Sequence, residues 1–495
     1  MHDGGGDRSI TVAALKELLP TLRAHGYTFV SVSSLMGKTP AEVMPRLTFW
    51  QSVRAIPDSI AFSTLAVIGN FIVFVFFLGD ILMSARLILV GVFAIIDRMR
   101  RPHREASAGF NPRIAVLIPA YNEEKVIVRT IRSVLHSDYE NLHVIVIDDG
   151  STDNTFEVAR AAYAREIAAG RVQVLTKANG GKAAALNYAL DGLDEDFYVG
   201  IDADTVIAAD AIAKLIPHFE DPLVGAVAGN AKVGNRVNLW TRWQALEYIT
   251  SQNFERRALD LFNVVTVVPG AIGAWRTEPV KKAGCYPLNT VAEDADLTMN
   301  LLEQKYKVVY EDRALAFTEA PINASGLMRQ RFRWSFGILQ SVWKHRLAFV
   351  RNKAMGLFAL PNILIFQMFL PLVSPFIDLM FLAGIVHYLI DRHYHPEAAS
   401  AASFMKLLAY FLTFLLIDFV TSTVAFSLER RHPANKGDGW LLFHIWLQRF
   451  AYRQVFSIVL FKTVMRAIDG KPFNWDKLER TALMSKRTEA LTETR

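Results

Sequence analysis

The chain has 495 residues, of which 52% are hydrophobic, a share high enough to suggest membrane segments. Its one cysteine, Cys285, excludes an internal disulfide framework and a cysteine-ligated metal cluster. The net charge of +6 would suit a nucleic-acid binder. The basic residues cluster beside apolar segments, however, so contact with anionic lipid is the simpler interpretation and no nucleic-acid partner is expected. These basic clusters are 98–104, 344–353, 429–436 and 478–487.

The first membrane candidate is the apolar block at residues 59–97. It divides near Gly79 and Asp80 into a half that is long enough to cross a bilayer, 59–79, and a shorter half, 82–97. The basic stretch that follows the block predicts that this end is cytoplasmic. Hydropathy alone leaves the number of crossings open.

The second membrane block lies at residues 355–466. Within it, Ser403–Phe426 has only Lys406 and Asp418 as charges and is long enough to cross a bilayer. The stretch at 355–390 is interrupted by prolines and predicts either one interfacial helix plus one span or two tilted spans. Polar residues of the last apolar segment are predicted to face a cavity, unless that segment is an interfacial helix. They are His444, Gln448, Arg449, Arg453 and Gln454.

Between the two blocks, short apolar strands alternate with helices. Predicted strands begin at Arg113, Leu142 and Val172, and their unbroken apolar runs are typical of strands that are buried on both faces. This alternation predicts a parallel α/β sheet, in which ligands bind beyond the carboxyl ends of the strands. The polar residues expected at those ends are Tyr121, Asp148, Asp149, Asp202 and Asp204. Asp149 could also begin a turn and cap the next helix.

Asp202 and Asp204 are predicted to hold a divalent cation. They follow the apolar run 198–201 and are two residues apart, and alternate residues of a strand share a face. Carboxylate oxygens suit Mg²⁺ or Mn²⁺, ions that also bind substrate phosphates. A solvated turn is the alternative interpretation of this pair.

A loop with two lysines, Lys177 and Lys182, opens a predicted helix and contains two consecutive glycines. Backbone N–H groups at the start of a helix and two ammonium groups favour an anion such as a diphosphate. The spacing of a Walker loop is absent, and a flexible solvated turn is the alternative.

Two further polar segments lie closer to the second membrane block. Glu293 and Asp294 stand in the first turn of a predicted amphipathic helix, where an acid could complement the helix dipole or act as a general base. Gln330, Arg333 and Trp334 precede the membrane block. They could anchor the chain at the membrane interface, or neutralise a leaving diphosphate and stack on a sugar.

The order of these motifs resembles that of the processive family 2 glycosyltransferases, which include cellulose, hyaluronan, chitin-oligosaccharide and poly-N-acetylglucosamine synthases. The resemblance covers residues 60–485 and rests on Asp148–Ser151, Asp202–Asp204, Glu293–Asp294 and Gln330–Trp334. It implies a GT-A fold, a UDP-sugar donor, and Mg²⁺ or Mn²⁺ as cofactor. Ala292 stands where the family usually has threonine, a departure that concerns one local contact.

The resemblance also implies a role for each candidate residue. Asp294 would be the base that deprotonates the acceptor hydroxyl, and Asp202 with Asp204 would place the cation on the diphosphate. The other implied contacts are Tyr121, Glu123 and Asp148 at the uracil, Gln330, Arg333 and Trp334 at the diphosphate and acceptor sugar, and Asp149, Lys177, Lys182 and Glu293 beside the substrate.

Residues 1–45 carry a second resemblance, to the last motif and last strand of a NodB-type polysaccharide deacetylase. It rests on His2, on a helix whose apolar residues run from Val12 to Leu22, and on a strand expected at 26–32. His2 would match the late catalytic histidine of that family. The metal-binding motifs that precede this region in the family are missing, so no deacetylation is expected. An unrelated amphipathic helix is the alternative.

Together these expectations describe an inverting glycosyltransferase of the inner membrane with a cytoplasmic catalytic domain. It is expected to polymerise a UDP-sugar, above all UDP-N-acetylglucosamine, into a β-linked polysaccharide, since residues 268–276 look most like those of N-acetylglucosamine-polymer synthases. The expected partners are the donor, the growing polysaccharide, the lipid bilayer, and export or deacetylase proteins.

Several other functions stay open. Hyaluronan or a chitin oligosaccharide could be the product, or a single sugar could be transferred to a polyprenyl phosphate by an enzyme that normally lacks the Gln-x-x-Arg-Trp motif. A nucleotide-sensing membrane receptor would not need the carboxylates. The predicted parts of the chain are a deacetylase-like remnant at 1–45, membrane segments at 59–97, a GT-A catalytic domain at 110–335, interfacial and transmembrane helices at 336–466, and a cytoplasmic tail at 467–495.

Overall fold

The computed structural model describes residues 9–46, 48–100, 107, 109–394, 401–429, 438–470 and 482–484. The chain divides into two compact units, Met1–Phe77 and Leu78–Arg495. His2, parts of the predicted basic clusters and most of the predicted tail lie outside the described residues.

The first unit contains α1 (Ser9–Ala24), α2 (Val32–Leu35), α3 (Pro40–Val43) and the start of α4 (Phe49–Arg100). Helix α1 confirms the helix predicted from the apolar spacing. Residues 27–31 form no strand, so the strand expected there is wrong. Their side chains are exposed, and a strand without a neighbour cannot complete its backbone hydrogen bonds.

Helix α4 continues through Gly79 and Asp80, so the break predicted there is wrong. A glycine weakens a helix but keeps its backbone hydrogen bond, whereas proline removes one. The part of α4 that is long and apolar enough to cross a membrane is Phe77–Arg100, and Ser59–Phe71 is a shorter apolar stretch.

The second unit is built on an eight-stranded sheet in the order β3-β2-β1-β4-β7-β6-β8-β5. Its strands are β1 (Ile114–Ala120), β2 (Leu142–Asp148), β3 (Val172–Thr176), β4 (Phe197–Gly200), β5 (Val206–Ile207), β6 (Val224–Val233), β7 (Gly273–Arg276) and β8 (Lys307–Thr318). The pairs β1–β2, β2–β3, β1–β4 and β6–β8 are parallel, and β7 runs antiparallel to β4 and β6. A mostly parallel sheet confirms the predicted α/β class.

The helices that surround the sheet are α5 (Ile127–Leu135), α6 (Thr155–Ala162), α7 (Ala164–Ala168), α8 (Lys182–Asp191), α9 (Ala211–Leu215), α10 (Leu239–Glu247), α11 (Phe254–Asp260), α12 (Thr277–Lys282) and α13 (Glu293–Glu303). A 3₁₀ turn, Ile216–Glu220, follows α9, and a π-helical segment, Tyr248–Asn253, joins α10 to α11. The helices toward the membrane blocks are α14 (Ala324–Lys344), α15 (Ala348–Arg351), α16 (Leu370–Tyr394), α17 (Ala401–Glu429), α18 (Ile445–Leu447) and α19 (Arg453–Asp469).

Both faces of the sheet are buried, which explains the unbroken apolar runs of its strands. Along β1, Ile114 and Val116 pack on the side of α5 and α9, whereas Ala115 and Leu117 pack on the side of α8 and α13. Because β1 runs parallel to its neighbours β2 and β4, the carboxyl ends of these three strands lie at one edge of the sheet, here called the rim.

The stretch Met355–Tyr394 is one apolar helical run that is long enough to cross a membrane, and whether it forms an interfacial helix plus one span or two tilted spans stays a prediction. Two π-helical segments, Met355–Ala359 and Asn362–Phe369, lead into α16. The Ser457 hydroxyl donates to the Pro371 carbonyl at 2.7 Å. Local π turns and hydroxyl donors of this kind let a membrane helix tolerate proline.

Helix α17 contains the third candidate span, Phe404–Glu429, and confirms that the stretch predicted at Ser403–Phe426 lies in an apolar helix long enough to cross a bilayer. In the last apolar segment, Gln448 donates to a backbone carbonyl of α10 at 3.0 Å. Arg453 and Gln454 donate to carboxylates of α17 and α16 at 2.7 and 2.5 Å. The side chain of Arg449 lies outside the described residues, and the predicted cavity stays a prediction.

Candidate active site

The acids that the sequence singled out stand at neighbouring strand ends. Strand β1 lies between β2 and β4, and its last residue, Ala120, is in register with Asp148. Asp148 accepts a hydrogen bond from the Thr176 hydroxyl at 2.9 Å. Tyr121 is half-buried and Glu123 is buried. All these residues therefore lie at one rim of the sheet.

Asn122 joins the loops that follow β1 and β2, and sequence reasoning missed it. Its backbone N–H donates to the Ser151 hydroxyl at 2.9 Å, and its side-chain carbonyl accepts from the Thr152 N–H at 2.6 Å. Its φ of 55° is left-handed, a conformation in which asparagine is enriched. An asparagine directly after a strand is the sequence signal that could have found it.

Asp149 ties the loop of Lys177 to the end of β2. Its carboxylate accepts hydrogen bonds from Lys177 Nζ at 2.7 Å and from the N–H groups of Gly180 and Gly181 at 3.0 and 2.6 Å. Gly150 has a φ of +69°, and a Cβ there would stand 2.8 Å from a backbone nitrogen of this loop. Only glycine fits that close approach. Asp149 therefore already pairs with one of the two lysines that were predicted for a diphosphate.

Asp202 and Asp204 lie in a turn beyond β4, which ends at Gly200. The argument that they share the face of a strand is therefore wrong, because the backbone has already left the sheet. Asp204 is buried and accepts a hydrogen bond from the Thr318 hydroxyl at 3.4 Å. Asp202 is half-buried and lies 2.5 Å from Lys182 Nζ.

The carboxylate oxygens of this turn suit a divalent cation whose remaining coordination positions would be filled by water and by a substrate phosphate. Asp202 and Asp204 offer hard carboxylate oxygens, and Asp202 already holds a cationic ammonium group. Within the described part of the chain, no three acidic, histidine or cysteine side chains form a metal site on their own. Mg²⁺ is usually bound by one or two carboxylates together with water and substrate phosphates.

Lys182, at the start of α8, connects the turn to α13. Its ammonium lies 2.5 Å from Asp202 Oδ1 and 3.6 Å from Glu293 Oε1. Burial opposes the charge of Lys182, but the carboxylates of Asp202, Glu293 and Asp294 outweigh burial and raise its pKa. Beside this group lies a small pocket with apolar walls from Pro119, Leu186, Ile201, Val268, Pro269, Trp275 and Tyr286.

Asp294 stands in the first turn of α13 and lines that pocket. Burial and the neighbouring Glu293 raise the pKa of Asp294 to about 6, although Lys182 opposes the shift. A carboxylate with a pKa of about 6 is ionised at neutral pH and takes up a proton more readily than an ordinary aspartate. The arrangement therefore suits a general base.

Asp296, the third acid of the same turn, belongs to a different cluster. Its carboxylate lies 2.7 Å from His345 Nε2 and 2.7 Å from Lys344 Nζ, both at the end of α14. Asp296 is 1% exposed. Its partners therefore give it a packing role between α13 and α14.

The remaining candidates lie on α14, which packs against the start of α13. A Cβ on Gly337 would stand 2.5 Å from Cβ of Ala292, so the two helices meet at these two small residues. Gln330 is buried, and Arg333 and Trp334 are half-buried. Ala292, where the family usually has threonine, is thus a helix contact.

Arg331 is a second residue that sequence reasoning missed. It is 2% exposed, and its guanidinium lies 4.1 Å from the ring centroid of Trp334. The two residues are three positions apart on a helix, a spacing that brings side chains together. That spacing is the signal that could have found it.

Comparisons with known proteins agree with this geometry. The sequence model described as "Glycosyltransferase like family 2" matches residues 112–337. A poly-beta-1,6-N-acetyl-D-glucosamine synthase of Staphylococcus epidermidis is 27% identical over 336 residues, which are 67% of this chain and 78% of the relative. The enzyme of the same name from Staphylococcus aureus strain COL is 29% identical over 270 residues, 54% of this chain and 64% of the relative.

Among solved structures, a mannosyltransferase from Pyrobaculum calidifontis in complex with GDP-Man and Mn²⁺ superposes with a TM-score of 0.52 at 17% identity. The match covers 82% of this chain and 99% of that one, and at this identity it shows the fold. The predicted GT-A fold with candidate membrane helices is therefore confirmed. Residues 112–337 form a glycosyltransferase family 2 domain, and the protein is a glycosyltransferase.

Proposed function

We propose that the protein polymerises UDP-N-acetylglucosamine into a β-linked polysaccharide at the inner membrane and assists export of the polymer. The name shared by its relatives supports this donor and favours a β-1,6 linkage. Three helices long and apolar enough to cross a bilayer, among the described residues, support a multi-pass membrane protein. The catalytic domain would face the cytoplasm, where UDP-sugars are made.

One observation carries the chemistry of the proposal. Asp294 is half-buried, has a raised pKa, and shares Lys182 as a cationic neighbour with Asp202. As the base, Asp294 takes the proton of the acceptor hydroxyl while the hydroxyl oxygen attacks the anomeric carbon. The bond from that carbon to the diphosphate breaks, and its electron pair leaves with UDP. One displacement at an α-linked donor gives a β-linked product.

The leaving diphosphate needs positive charge around it. Lys182 and Arg333 would supply part of that charge as preorganised cations. Asp202 and Asp204 would hold Mg²⁺ or Mn²⁺, an ion that neutralises a departing diphosphate when bound. The Mn²⁺ in the mannosyltransferase of the same fold supports a divalent cation here.

The remaining candidates divide between the two substrates. Tyr121, Glu123 and Asp148 would contact the uracil, and Asp149 with Lys177 would hold the loop beside it. Gln330 and Trp334 would contact the acceptor, because an indole can stack on the apolar face of a sugar.

Product analysis tests this proposal. Membranes that contain the chain are incubated with single UDP-sugars and Mg²⁺, the products are sized by mass spectrometry, and the linkage is determined by NMR. A polymer from UDP-N-acetylglucosamine alone is expected. A polymer that also needs UDP-glucuronate would mean a hyaluronan synthase, and a short β-1,4 oligomer would mean a chitin-oligosaccharide synthase. A lipid-linked monosaccharide would overturn polymerisation altogether.

A further inference from the structure

Arg331 is a buried cation in the segment that was assigned to the acceptor. It lies between Gln330 and Arg333, yet it is 2% exposed and points into the packing of the helices. Burying a charged side chain is unfavourable unless partners compensate for the lost hydration. Its partners therefore indicate what it does.

Those partners are both polar and aromatic. Arg331 Nη2 lies 2.6 Å from Glu247 Oε2, and the Tyr452 hydroxyl donates to the same carboxylate oxygen at 2.5 Å. The guanidinium stands 4.1 Å from the ring centroid of Trp334, compared with 5.9 Å for Tyr248. A guanidinium at this distance from an indole is a cation–π contact. Trp334 stays half-buried.

The partners come from three separate parts of the second unit. Glu247 is the last residue of α10, directly before the π-helical segment Tyr248–Asn253. Tyr452 is the last residue of another π-helical segment, Gln448–Tyr452, directly before α19. π-helical turns of this kind occur frequently at functional sites. The side chain of Arg331 is therefore held from the end of α10 and from the π-helical segment before α19 while it contacts an indole on its own helix.

We propose that Arg331 is a positioning residue for the acceptor. Held by Glu247 and Tyr452, its guanidinium fixes the plane of the Trp334 indole on which the terminal sugar stacks. The inference rests on the proposed polymerase function, because it needs an acceptor sugar at Trp334. It also connects the segment Gln448–Tyr452, which follows the candidate spans in the chain, to the surface that binds the polymer.

The first experiment changes the shape of the cation and keeps its charge. Arg331→Lys retains a partner for Glu247 but loses the planar group that lies against the indole. Mean product length should fall about fivefold, equivalent to about 1 kcal/mol at 1.4 kcal/mol per tenfold. The KM for UDP-N-acetylglucosamine should stay unchanged, since the donor does not touch this group. Arg329→Lys is the matched control, because Arg329 is exposed on the same helix and bonds Ser325.

A double-mutant cycle separates positioning from general stability. If Arg331 acts through the indole, Arg331→Lys should shorten the product in the wild-type background and add nothing to Trp334→Ala. Additive losses in the double variant, or product of wild-type length from Arg331→Lys, would overturn the inference. If Arg331→Lys fails to fold, Tyr452→Phe replaces it in the same cycle, since it removes only one hydroxyl.

The wild-type chain distinguishes this inference from the proposed function. If wild-type membranes make no polymer from UDP-N-acetylglucosamine, the proposed function fails. If they make polymer and the Arg331 and Tyr452 variants make polymer of the same length, only the positioning role fails.

Discussion

Two clusters of charged side chains in the second unit differ in how their carboxylates are paired. The rim cluster consists of Lys182, Asp202, Glu293 and Asp294, and the charges of these four side chains sum to −2 when all are ionised. One ammonium is thus shared among three carboxylates. Its excess of negative charge is suited to a divalent cation and a proton, the species that the proposed reaction brings to it.

The support cluster consists of Arg98, Lys232, Arg257, Asp312 and Glu429, in which three cations face two carboxylates, and Arg98 lies 3.5 Å from Asp312. Lys232 pairs with Glu429, and Arg257 lies 2.5 Å from Asp312 and 3.5 Å from Glu429. Lys232 and Arg257 are 1% and 3% exposed. The cluster joins the catalytic sheet to the end of α17. Each carboxylate of the support cluster thus has two cationic partners, which suits a packing role, whereas the three carboxylates of the rim cluster share one ammonium.

The largest effect should come from removing the base of the rim cluster. Asp294→Asn should lower the rate of transfer by about 10²–10⁴-fold, the usual contribution of a general base, because the amide cannot take the acceptor proton. Calorimetry should still show binding of UDP-N-acetylglucosamine. Asp296→Asn is the matched control and should remain active. Activity in Asp294→Asn with a dead Asp296→Asn would show that the base has been misassigned.

Breaking the pairing of the support cluster should affect stability instead of chemistry. Lys232→Met leaves the Glu429 carboxylate without its buried ammonium and should lower the free energy of unfolding by about 3–5 kcal/mol. The double variant Lys232→Met, Glu429→Leu should recover most of that loss, since the buried carboxylate that lost its ammonium is removed as well. Thermal unfolding of the detergent-solubilised protein measures both. An equally unstable double variant would contradict a purely supportive role.

Removal of the divalent cation tests whether the excess negative charge of the rim cluster has to be neutralised for turnover. EDTA should abolish turnover, and Mg²⁺ or Mn²⁺ should restore it, because two carboxylates would otherwise face a diphosphate. Asp204→Asn should lose about a hundredfold in rate, as for other lost electrostatic stabilisers. Full activity in EDTA would remove the metal from the proposal.

The pH profile should report the raised pKa of Asp294. Burial and Glu293 place this pKa at about 6, so the base is ionised above pH 6 and protonated below it. The rate at saturating donor should therefore fall about tenfold for each pH unit below 6. Circular dichroism across the same range checks that the loss is not unfolding. A flat profile down to pH 5 would contradict a base with this pKa.

The smallest effect is expected from a change that touches neither cluster. Deletion of residues 1–45 should leave polymer synthesis in membranes unchanged, because none of the candidate substrate-binding or catalytic residues lies in this region. Loss of synthesis in the deletion variant, or release of acetate from an acetylated glycan by the undeleted chain, would contradict the hypothesis of an inactive remnant.

Local sequence patterns correctly predicted the strands and the helix start that carry several of the candidate site residues. The strands before Tyr121 and Asp148 followed from apolar runs, and the place of Asp294 followed from a helix start. Contacts between segments that are far apart in the chain could not be predicted in this way, because no local sequence pattern marks them. Lys232 and Glu429 are 197 positions apart, and nothing near either residue marks the other as its partner.

Prediction also failed at Gly79, which was taken as a break in the apolar block 59–97. A glycine lowers helix propensity but keeps its backbone hydrogen bond, so α4 continues through it. Arg331 was missed because a charge in a polar motif suggests a ligand contact, whereas this one is buried among aromatic rings.

The contact between Gly337 and Ala292 has a mechanical consequence. With only Cβ of Ala292 between the backbones of α14 and α13, no flexible side chain is available there to absorb a shift, and densely packed interiors transmit strain. If the polymer binds at Trp334 as proposed, a displacement of α14 would also displace the first turn of α13, where Asp294 stands.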